Sequence, residues 1–170
     1  MTIGREVNLM KNYPYSKRDI SGRLASKTDE DRRIARQFDE DFFDGDRRYG
    51  YGGYNYNPKY WTPVVPDFMK NYGLTRKSKI LDVGCGKGFF LYDFMRLIPG
   101  LSVSGVDISN YAIYNALPEV KPYLQVNNAK NLPFEDNYFD LVISINTIHN
   151  LVRSECMQAI REIERVSKGS

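Results

Sequence analysis

The 170-residue sequence is poor in the residues that build metal centres and disulfide frameworks. It has one histidine and two cysteines, and Cys85 and Cys156 lie far apart with no metal-type spacing. They read as two free thiols, as in a protein of the reducing cytoplasm. No apolar run approaches the roughly 18–20 residues that a membrane span needs, so no membrane partner is expected. The N-terminus lacks a basic-then-apolar leader, since Lys11, Lys17 and Arg18 follow apolar residues rather than precede them. Charge of one sign is scarce as well. The net charge is only +3, with 24 basic residues interspersed among 21 acidic ones, which does not resemble a nucleic-acid-binding tail. No internal repeat is evident.

Aromatic residues are plentiful instead, with 13 Tyr and 9 Phe. Residues 1–25 show no sustained period, and Tyr13, Pro14, Tyr15, Lys17 and Arg18 suggest an irregular arm. A helix is expected from about Asp29 to Phe43. Thr28 can cap it, Asp29, Glu30 and Asp31 suit its positive end, and Gly45 can close it. Ile34, Phe38 and Phe42 would then form one apolar stripe. The run Asp46–Trp61, DRRYGYGGYNYNPKYW, reads as a loop in which glycines free the backbone and tyrosines supply flat faces. Its Arg47, Arg48, Tyr49 and Tyr54 are candidate substrate contacts, the arginines for a phosphate or carboxylate and the rings for a sugar or aromatic group. A short helix is expected from Thr62 to Gly73.

From Lys79 the pattern becomes βαβ. The expected strands are Ile80–Val83, Leu101–Val106, Tyr123–Val126 and Leu141–Ile145. The expected helices are Phe89–Leu97, a short one capped by Ser109 and ended by Pro118, and a last one from Ser154. Strands alternating with helices imply an α/β domain with a parallel sheet and helices on both faces. The division expected is an N-terminal extension and Tyr/Gly-rich lid at 1–60 and a ligand-binding domain at 61–170.

The strongest chemical signal is Leu81-Asp82-Val83-Gly84-Cys85-Gly86-Lys87-Gly88, which follows a strand and opens a helix. Gly84 and Gly86 permit a tight turn and close approach of a ligand, and Gly88 permits close packing at the helix start. The spacing is G-x-G-x-G, with Phe89 where the dinucleotide fingerprint needs its third small residue, which argues against a nicotinamide-dependent oxidoreductase. Asp82 suits a ligand with an ammonium group. Asp107, ending the second strand about twenty residues beyond the glycines, can accept from two ribose hydroxyls. Capping of the following helix is the alternative. Ile108 beside it could flank an adenine, and Asn128 after the third strand could read an adenine edge. Beyond strand four, His149 is a candidate general base, or a structural histidine holding a loop, and Asn146 could orient a bound group.

Four segments together resemble the class I (Rossmann-like) S-adenosylmethionine-dependent methyltransferases, particularly the small-molecule branch. They are LDVGCGKG at 81–88, GVDIS at 105–109, NAKNLPFEDNYFDLVIS at 128–144 and REIERVSKG at 161–169, in the family's order. The resemblance covers roughly residues 61–170 and implies S-adenosyl-L-methionine as cofactor. It implies that Asp82 and Gly84, Cys85, Gly86 and Gly88 border its methionine part, that Asp107 binds its ribose, and that Asn128 and Ala129 lie beside the adenine. Asn128 stands where many members carry an acid. The family sheet runs 3-2-1-4-5-7-6, and this sequence has no residues for strands five to seven. The expectation is therefore a four-stranded sheet of order 3-2-1-4 with strand four as an exposed apolar edge, prone to self-association. The implied activity is methyl transfer to a small molecule, such as a sugar or sugar-nucleotide-like metabolite. The alternative is a truncated, non-catalytic cofactor-binding module.

Overall fold

A computed structural model describes residues 6–14 and 27–169. Tyr15, Lys17 and Arg18 of the expected arm lie outside the described residues. Four parallel strands form the sheet: β1 (Lys79–Val83), β2 (Ser102–Asp107), β3 (Leu124–Val126) and β4 (Leu141–Ile143). Their order is β3-β2-β1-β4, as the family resemblance implies, with Ile80 opposite Val103 on one side and Leu141 on the other. The seven α-helices of the described residues are α1 (Asp29–Ala35), α2 (Glu40–Phe43), α3 (Pro58–Trp61), α4 (Val65–Tyr72), α5 (Phe89–Leu97), α6 (Asn110–Tyr114) and α7 (Arg153–Val166). None is long and apolar enough to cross a membrane.

Strand alternation decides which face each helix covers. Ile80, Val103, Leu141 and Ile143 point to the face packed by α4 and α5 through Phe68, Phe90, Leu91 and Phe94. Leu81, Val83 and Val106 point to the opposite face, where Leu132, Phe139 and Val166 cover them. The sheet is thus apolar on both sides, and its carboxyl ends are the natural place for a ligand.

The loop between β3 and β4 is held to α7 by Arg165. Its guanidinium forks onto Glu162, at 2.7 and 2.8 Å, and donates to the carbonyls of Leu132 and Phe134 and to Asp136. Arg165→Ala strips several charge-assisted bonds from this loop and is expected to lower stability by about 2 kcal/mol, read in a urea melt. A loss below a few tenths of that would mean that water replaces the guanidinium at no cost.

Several expected boundaries shift. The helix expected over 29–43 is two helices, because Phe38 adopts a left-handed backbone, φ 51°, and turns its ring edge-on to Phe42 at 5.1 Å. At its start Thr28 and Asp31 form a reciprocal capping box, as the acidic first turn suggests. The segment read as loop to Trp61 ends in α3, which Asn57 caps and Pro58 opens. The helix beyond it starts at Val65 rather than Thr62, and Gly73 closes it in the left-handed region, φ 59°. The last strand stops at Ile143, two residues early, and α6 stops at Tyr114, before Pro118 is reached.

Candidate functional site

The carboxyl ends of β1, β2 and β4 open into a cavity of about 320 Å3. Its floor is the glycine loop between β1 and α5. Gly84, Gly86 and Gly88 all have positive φ, which L side chains rarely adopt. Each glycine is also pressed by a neighbour. A Cβ at Gly84 would lie 1.9 Å from the Thr147 hydroxyl, and one at Gly88 would lie 2.8 Å from Leu124. Cys85 lines the cavity too, but its thiol is buried and burial pushes its pKa well up, so it stays protonated.

Two carboxylates face this floor. Asp82, on β1, is only 6% exposed and accepts no hydrogen bond from any described residue. Burial, with the Asp107 charge as a lesser cause, raises its pKa to about 7. Asp107 ends β2. Its Oδ2 accepts from the Gly86 amide at 2.7 Å and its Oδ1 from the Ser109 amide at 2.9 Å. Burial raises its pKa, opposed by those amides. The capping alternative therefore holds in part, for Asp107 closes the turn into α6 together with the Ser109 side chain. Each of its oxygens keeps a second lone pair for a ligand.

The remaining candidates divide. Ile108, Asn128, Ala129 and Asn146 line the cavity, as does Tyr54. The Asn128 Oδ1 accepts from the Lys130 amide at 3.0 Å, and the neighbouring Asn127, not singled out by sequence, also lines the wall. Asn146 has a left-handed backbone, φ 57°, at the turn where the chain leaves β4. His149 does not line the cavity. It is exposed on a one-turn 3-10 helix, Ile148–Asn150, so the placement does not suit a general base acting inside it. Arg47, Arg48 and Tyr49 do not line it either. Arg47 donates to the Gly50 carbonyl and Arg48 pairs with Asp46 at 3.2 Å, both on the exposed surface.

Sequence reasoning missed what fastens the aromatic segment over the floor. Asp44 accepts from Lys87 Nζ at 2.6 Å, from the Tyr111 hydroxyl at 2.7 Å and from the Tyr54 amide at 2.8 Å. Lys87, the one charged residue of the glycine motif, is thereby buried and paired rather than aimed at a ligand. The signal was a lysine inside a turn of small residues. The second fastening is Asp93 on α5, fully buried, which accepts from the Tyr56 hydroxyl at 2.7 Å and the Thr62 hydroxyl at 3.1 Å.

Comparison with known proteins agrees with this geometry. Residues 81–170 match the family model described as a methyltransferase domain. A tRNA (carboxymethyluridine(34)-5-O)-methyltransferase of Arabidopsis thaliana is 36% identical over 107 residues, covering 62% of this chain and 25% of that protein. A demethylmenaquinone methyltransferase of Symbiobacterium thermophilum is 38% identical over 116 residues, covering 64% and 45%. The structure of a SAM-dependent methyltransferase from Aquifex aeolicus superposes with a TM-score of 0.51 at 25% identity, covering 61% of this chain and 57% of that one. The chain thus spans about a quarter to about half of the length of these curated relatives.

Proposed function

Because the chain belongs to the methyltransferase-domain family, with the class I Rossmann-like fold, we propose that it binds S-adenosyl-L-methionine and takes part in methyl transfer to a small-molecule acceptor. The observation that carries the reading is the Asp82 carboxylate. It sits beside the glycine loop, lines the cavity and accepts no hydrogen bond from any described residue, so a ligand ammonium would supply a partner charge. The glycine loop suits the same ligand, since Gly84 and Gly86 line the cavity with bare, positive-φ backbone.

When bound, S-adenosyl-L-methionine would supply an electrophilic methyl group for a nucleophilic acceptor, with its thioether as the leaving group. The chain's part is position and electrostatics. Asp82 holds the ammonium end. Asp107 accepts from the ribose hydroxyls with the lone pairs that the Gly86 and Ser109 amides leave. Ile108 and Ala129 flank the adenine, with Asn128 at its edge. The aromatic segment closes the opposite side and limits access of water.

Asp107→Ala is expected to weaken binding of the product S-adenosylhomocysteine by about 1.5–3 kcal/mol, because charge-assisted acceptors are lost. Titration calorimetry on both chains reads this. Unchanged affinity in a folded variant would remove Asp107 from the ribose site.

A further inference from the structure

Resting on the methyltransferase reading, we infer that the acceptor is a flat, uncharged ring system held against the aromatic wall of residues 38–61. The first support is the wall itself. Phe42, Phe43, Tyr51, Tyr54, Tyr60 and Trp61 all line the cavity. They are held as a preformed surface. Tyr54 stacks on Phe89 with ring centres 4.8 Å apart and meets Tyr51 at 4.3 Å, and Trp61 stacks on Phe90 at 4.3 Å. The Asp44 and Asp93 bonds fix the backbone that carries these rings, so the wall pays little ordering entropy when a ring docks on it. Faces so placed favour another π system in offset or edge contact.

The second support is charge. No Lys, Arg or His among the described residues lines the cavity, and the charged side chains that do are Asp82 and Asp107. Lys87 is spent on Asp44, and the Arg47 and Arg48 side chains lie on the outer surface. A phosphate or carboxylate on the acceptor would meet no cation among the described residues, so a sugar-nucleotide-like acceptor fits poorly. The polar groups beside the wall are neutral: Asn55, and the Tyr54 hydroxyl, which burial keeps protonated. Such groups can meet a ring hydroxyl or carbonyl without requiring a charge.

A matched pair of probes tests this: 2-naphthol and 2-naphthyl phosphate, titrated by calorimetry into the chain with and without saturating S-adenosylhomocysteine. The naphthol is expected to bind at least about tenfold more tightly than its phosphate ester. It should also quench the emission of Trp61, the sole tryptophan. Tyr54→Leu should weaken naphthol binding about fivefold or more, and Tyr60→Leu, at the other end of the wall, provides the same reading should the first variant fail to fold. Arg48→Ala should change neither titration. The inference is overturned by a phosphate ester that binds as tightly as the naphthol, by an absence of binding by both probes, or by a loss of ester binding in Arg48→Ala. The S-adenosylhomocysteine titration run alone judges the cofactor reading separately. A naphthol preference without cofactor binding would overturn that reading and leave the ring site standing.

Discussion

Gly84→Val is expected to abolish cofactor binding, with a loss of at least about 100-fold, and to destabilise the chain as well. Two independent costs fall on this position. The backbone holds φ at 85°, where a β-branched residue is strained by about 1–3 kcal/mol. A Cβ would also lie 1.9 Å from Thr147 Oγ1 and 2.6 Å from Thr147 Cβ, and no rotamer removes the second contact. Thr147 is tethered, since its hydroxyl donates to the Ile145 carbonyl. Relief therefore requires the whole turn after β4 to lift, taking Asn146 with it. Gly86 makes a useful contrast, because the nearest atom a Cβ there would meet is at the Tyr54 ring edge, 3.3 Å away. Gly86→Val carries the same positive-φ strain without the clash with a tethered side chain, so it should cost less stability than Gly84→Val while obstructing the ligand. Calorimetry with S-adenosylhomocysteine and thermal melts of both variants separate the two costs. Binding by Gly84→Val within threefold of the parent chain would mean that the ligand does not run along this loop.

A second large effect concerns pH. The Asp82 carboxyl sits at about 7 in the folded chain against 3.8 ordinarily. Its folded value is raised, so the native state holds a proton that the unfolded chain has released. Stability from this group is then fully present below about pH 4 and is lost as pH rises toward 7, an effect on the order of 4 kcal/mol. Asp107 is shifted in the same direction and adds to the slope. Cofactor binding should run the other way. An ammonium group pairs with the ionised carboxylate, so affinity should rise by up to about tenfold per pH unit between pH 5 and 7, with proton release on binding. Asp82→Asn keeps the shape and removes the titration. It should flatten the pH dependence of the melting temperature and lower affinity near neutrality. A variant whose melts keep the parent's slope would place the titrating group elsewhere.

What was legible in the sequence was local. The run from Ile80 to Leu97 reads as strand, glycine turn and helix because period, turn residues and helix start lie within one short window, and α5 spans the expected Phe89–Leu97. The Thr28 capping box and the Gly73 cap were readable for the same reason. The sheet order needed more, and it came from the order of four familiar segments rather than from any pattern within one. The misses involve partners far apart in sequence. Nothing near Lys87 announces that Asp44, 43 residues away, will bury it. His149 sat in the right segment, at the carboxyl end of β4. Its direction depends on where the strand ends and on the left-handed turn at Asn146, a single backbone angle with no pattern around it. Phe38 fits the apolar stripe of one long helix, but its left-handed backbone, φ 51°, breaks that helix in two.

The Asp44 carboxylate also sets an order of events. Its three donors lie 10, 43 and 67 residues away along the chain, on the aromatic segment, the glycine loop and α6. Closing loops of such unequal length costs more entropy for the longer ones, and the sheet must assemble before the distant donors come within reach. The aromatic segment is therefore expected to dock onto a glycine loop whose strands have already paired. During refolding, secondary structure should be regained ahead of ligand-binding competence, and the interval between them is the time that residue 44 takes to collect its donors.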